Sequence, residues 1–98
     1  MAYLLHNVSV DTVGAGVQGD GSAKGIMIFA TNFGGGSVAI EISPDEGTTW
    51  LNVPYNGSPS AFTANQPLML LKFSQTWLIR AKLVGSSGAS NVNVTLDP

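Results

Sequence analysis

The stretch from Ser37 to Val53, SVAIEISPDEGTTWLNV, constrains the fold more than any other part of the chain. Val38, Ile40 and Ile42 alternate with Ala39, Glu41 and Ser43, the period of a half-buried strand. Pro44 presets a turn dihedral, the Asp45 carboxylate can fold back onto backbone N–H groups, and Gly47 supplies a positive φ without steric cost. Trp50, Leu51 and Val53 then return as a second strand, which makes a β-hairpin.

The same reading extends along the chain. Residues 1–10 form a first strand with hydrophobes on both faces, so it is either central in a sheet or covers a neighbouring subunit. Asp11 to Gly25 holds five glycines and reads as a long loop with a short strand between Val13 and Val17. Ile26 to Thr31 is continuously apolar and reads as a buried central strand, and Asn32 to Gly36 is a glycine-rich turn. A short strand is expected at 60–64, and Leu68 to Phe73, apolar on both faces, reads as interior or interface. Gln75 to Gly85 alternates with Trp77, Ile79, Ala81 and Leu83 inward. Val92, Val94 and Leu96 face the core in the last strand. About eight short strands with closely spaced turn signals and no helical periodicity predict an all-β fold, a single antiparallel β-sandwich, jelly-roll-like or immunoglobulin-like. At 98 residues there is one domain, with 1–25 suited to an assembly arm.

Charged residues are only 10% of the chain against 44% hydrophobic, which leaves a surface poorly protected against association. A homo-oligomer is expected, trimer or dimer. The basic residues Lys24, Lys72, Arg80 and Lys82 form no stripe, which argues against a nucleic-acid partner. No run is long and apolar enough for a membrane-crossing helix or a classical secretion signal, so no membrane association is expected. With no Cys and a single histidine, His6, there is no thiolate or zinc ligand set. Asp45 and Glu46 are the one close acidic pair and sit on adjacent turn positions, unlike two carboxylates facing across a cleft. No catalytic residues, metal or cofactor are expected. Trp50 and Trp77 read as core aromatics, and Trp50 with Tyr55 is the alternative, a sugar-stacking platform.

Ser43-Pro-Asp-Glu-Gly-Thr-Thr-Trp50 resembles the Asp-box, Ser-x-Asp-x-Gly-x-Thr-Trp, at every specified position. In sialidase propellers and unrelated β proteins that box sits on hairpin turns, which implies a structural role for Ser43, Asp45, Gly47 and Trp50. The same phrase, followed by Arg80-Ala-Lys-Leu-Val-Gly85 and Val92-Asn-Val-Thr-Leu96, also resembles small β-rich virion proteins of tailed phages. The resemblance implies a capsid cement or decoration protein, assembled in the host cytoplasm and resident in the virion, with the major capsid protein or other virion subunits as partners. Two-sided apolar strands and the loop place the expected assembly contacts at Tyr3, Leu5, Val13, Val17, Met27, Phe29, Met69 and Leu71. The alternative function is a carbohydrate- or receptor-binding module of a tail or fibre, or one appended to an enzyme.

Overall fold

A computed structural model describes residues 2–55, 57–72 and 74–97, without the side chains of Pro67, Leu68, Met69 and Leu71. Its strands are β1 (Ala2–Val8), β2 (Thr12–Val13), β3 (Val17–Gln18), β4 (Ala23–Phe29), β5 (Ser37–Ser43), β6 (Leu51–Asn52), β7 (Pro54–Tyr55), β8 (Ser58–Pro59), β9 (Gln66–Lys72), β10 (Leu78–Val84) and β11 (Val92–Asp97). The fold is all-β, and every strand pairing is antiparallel. One sheet runs β1-β11-β4-β9; the other runs β2-β10-β5-β6, with β3 also on β10; β7 and β8 form a small hairpin. The long strands were legible, but the strand expected at 60–64 is only an isolated bridge between Phe62 and Val38, and the described residues hold eleven strands rather than about eight, because the loops contribute two-residue strands.

From β4 onward the longer strands alternate between the two sheets along the chain. Alternation of apolar residues puts Ile26 and Ile28 of β4 with Val92, Val94 and Leu96 of β11 on one inner face. Val38 and Ile40 of β5 with Ile79, Ala81 and Leu83 of β10 form the other. Phe62 and Ala89 complete the cluster from the connections. Each fully buried aliphatic side chain contributes about 1.5–3 kcal/mol by leaving water, so these two faces dominate the stability.

The N-terminal segment is built into the sandwich. β1 pairs with β11 in one sheet, whereas β2 and β3 pair with β10 in the other, so residues 2–18 close the sandwich across both layers. The crossing is tight. Gly14 donates its N–H to the Ala81 carbonyl at 2.9 Å, and a Cβ at this position would collide with the Leu4 carbonyl oxygen. Only glycine lets the backbones approach that closely.

β1 also departs from simple alternation. Its register shifts between Tyr3 and Leu5 and again between Leu5 and Val8, and Asn7 takes φ 51° with its N–H on Asn93 Oδ1. Bulges of this kind place an extra residue in one strand. Leu4 and Leu5 are therefore both buried, at 3% exposure each, instead of lying on opposite faces.

Candidate functional site

The hairpin turn is built by its own side chains. The Ser43 hydroxyl donates to Asp45 Oδ1 at 2.9 Å and accepts the Gly47 N–H at 2.7 Å. Thr49 N–H donates to Asp45 Oδ1 at 2.7 Å, and Trp50 Nε1–H closes the turn on the Gly47 carbonyl at 3.1 Å. Hydrogen bonds from Thr49, with a further one from Ser43, hold the Asp45 carboxyl below its ordinary value. Gly47 takes φ 94°, and so, less expectedly, Glu46 takes φ 62°. β5 then pairs with β6 through Glu41–Asn52 and Ile42–Leu51, as a hairpin requires.

Trp50 is not a core residue. It stands on the outer face of the second sheet, half-buried, with the Arg80 guanidinium 3.9 Å from its ring centroid. Arg80 in turn donates from Nε to Glu41 Oε1 at 2.8 Å, and Lys82 Nζ reaches Glu41 Oε2 at 3.1 Å. Burial would raise the Glu41 carboxyl, but these two cations outweigh it and hold the group below its ordinary value. The supposedly outward face of β5 is thus covered by a Trp–Arg–Glu–Lys layer. Trp77, by contrast, packs partly against the core, as its alternation suggested.

Trp50 and Tyr55 do not form one platform. Tyr55 stacks edge-on against Phe62, whose backbone pairs with Val38, while Trp50 lies beside Ser43 at the other end of β5. Five residues of strand separate those ends by roughly 16 Å. Asp20, an oxygen source for a cation on paper, is occupied: its carboxylate accepts Lys24 Nζ at 2.6 Å and both Ser22 donors. Among the described residues no three His, Cys, Asp or Glu side chains gather as metal ligands. His6 is exposed and stacks on Tyr3 with centroids 4.0 Å apart.

The expected assembly contacts divide. Tyr3 pairs with Thr95, Thr95 with Met27, and Asn93 with Phe29, so Tyr3, Met27 and Phe29 share the outer face of the first sheet. Leu70, opposite Gly25, joins the same face. All four are exposed, Leu70 at 70%. Thr95 and Asn93 are buried beside Tyr3, Met27 and Phe29, and the rows through them carry no charged side chain, whereas Leu70 shares its row with Asp97 through Gly25 and has Lys72 two residues along the same face. Leu70 is the member that sequence reasoning missed. It sits in a strand apolar on both faces, and only the pairing with Gly25 fixes which face it joins.

The remaining contacts change or fall elsewhere. Leu5 belongs to the core because of the β1 bulge, and Val17, paired with Ile79, packs half-buried against that core. Val13 is exposed but pairs with Lys82 on the outer face of the other sheet, away from Tyr3 and Met27. Met69 and Leu71 lie in β9, with side chains outside the described residues. No family model, curated protein or solved structure matches the chain.

Proposed function

We propose that this chain is a non-enzymatic structural virion protein of a tailed phage, a capsid cement or decoration subunit that works by adhesion. The observation that carries the reading is the outer face of the sheet β1-β11-β4-β9, where Tyr3, Met27 and Phe29 are exposed together in rows without a charged side chain and Leu70 continues the apolar surface toward the end that holds Asp97 and Lys72. Exposed apolar side chains gathered on one rigid sheet are the usual mark of a protein–protein surface. The low charge of the whole chain and the likeness of its hairpin and C-terminal segments to small phage virion proteins support the virion setting.

In mechanism, a subunit burying on the order of 800 Å² against each neighbour binds each one modestly. Repetition around capsid symmetry axes then converts modest contacts into avidity, so that neighbouring capsomers are clamped without one very tight bond. A homo-oligomer, trimer or dimer, would set several such faces at once. Co-sedimentation of the purified protein with empty capsids, expanded and unexpanded, tests the reading. Saturable binding at a fixed ratio to capsomers supports it, and capsids that pellet without the protein contradict it.

A further inference from the structure

The outer face of the second sheet carries a different feature. Near the hairpin turn an open cleft of about 330 Å³ is lined by Gln18, Glu46, Thr76 and Leu78. Leu78 sits opposite both Ser43 and Gln18 in the strand register, which sets the cleft where β3, β10 and the end of β5 meet. Its volume lies at the lower end of the ~300–1,000 Å³ of small-ligand sites. From these residues we propose that the cleft binds a neutral carbohydrate.

The argument starts at Glu46. The turn uses Ser43, Asp45, Gly47 and Trp50, and asks nothing of the side chain between Asp45 and Gly47. Yet residue 46 sits at φ 62°, a conformation that Gly or Asn takes with less strain than Glu. Glu46 makes no ion pair among the described residues, and it lines the cleft. A non-glycine residue kept at positive φ beside a cleft points to a role for its side chain there.

The neighbouring groups define the ligand class. A carboxylate offers two acceptor oxygens, which suits a pair of adjacent hydroxyls. Gln18 spends an amide N–H on the Gln75 carbonyl at 2.6 Å, which orients its amide oxygen as a further acceptor. The Thr76 hydroxyl is held by Ser74 Oγ at 3.0 Å. Leu78 supplies an apolar wall. Acceptors beside an apolar wall suit a pyranose, with hydroxyls at its rim and C–H groups on its face. Among the described residues that line the cleft none is cationic, so acidic sugars would meet Glu46 without compensation from the lining. The cleft lies on the opposite side of the sandwich from the Tyr3–Met27–Phe29 face, and the inference does not rest on the capsid reading.

The test titrates the full chain with neutral glucose-, galactose- and mannose-based oligosaccharides, and with a sialylated one, following tryptophan fluorescence. Saturable change with a neutral sugar and none with the sialylated one is expected. Glu46→Gly should weaken binding about tenfold or more while melting no lower than the parent, because glycine fits the positive φ better. Should Glu46→Gly melt lower, Gln18→Ala, exposed and outside the turn, carries the same readout. Silence toward all neutral sugars up to high millimolar concentration, or binding unchanged in both variants, overturns the proposal.

Discussion

Asp45 and Glu41 are two carboxylates from one hairpin with different surroundings. Asp45 accepts from Ser43 and Thr49 at the exposed turn, so Asp45→Ala strands those donors and should lower Tm, followed by circular dichroism, while capsid binding is retained. A loss of capsid binding with unchanged Tm would make Asp45 a contact instead of a turn bond. Glu41, 7% exposed between Arg80 and Lys82, is the deeper group. Glu41→Gln should cost about 1–3 kcal/mol in urea unfolding, because two cations lose their charged partner in a partly buried layer. The bonding at Asp45 was legible because the turn is local in sequence. The burial of Glu41 was not, since its partners Arg80 and Lys82 stand on β10, which only the fold brings beside β5.

β1 shows what a strand-level reading can and cannot reach. Its two-sided apolarity was visible in the sequence, and simple alternation then assigned Tyr3 and Leu5 to the same face. The bulges separate them: Tyr3 is exposed and Leu5 is inside. Leu5→Ala should therefore cost about 2–5 kcal/mol in chemical denaturation. Tyr3→Ser should leave that stability nearly unchanged and weaken capsid binding. Like effects of the two substitutions on stability and on binding would restore the alternation reading. The hairpin β5–β6 was readable because its strands are joined by a short turn, whereas β1–β11 and β4–β9 join segments far apart in sequence. Which face of an apolar strand meets solvent is decided by those distant pairings, so Leu70 could not be assigned to its surface from the sequence.

For the whole molecule, few charges mean that each placed carboxylate matters. Asp11 is held low by hydrogen bonds from Ser86 and Gly85, Asp20 by Lys24 and Ser22, Asp45 by Thr49 and Ser43, and Glu41 by Arg80 and Lys82 against the opposing effect of burial. All four lie below their unfolded values near ~4, so the unfolded chain takes up protons first as pH falls. Their contribution to stability is complete above that range and is lost progressively below about pH 4. Tm should stay level from neutral pH to about pH 5 and then drop. A Tm that rises on acidification would contradict the placement of these groups. The same scarcity of charge leaves the sheet β1-β11-β4-β9 with an apolar outer face, the basis of the adhesive reading.

The measurement that tests that reading most directly is capsid co-sedimentation of the paired variants Met27→Asp and Val13→Asp, each first shown to be folded. Both residues are exposed, but they stand on opposite faces of the sandwich. The result expected is that Met27→Asp no longer pellets with capsids while Val13→Asp binds like the parent. Equal binding by both variants, or loss confined to Val13→Asp, would show that the apolar face of the β1-β11-β4-β9 sheet is not the adhesive surface.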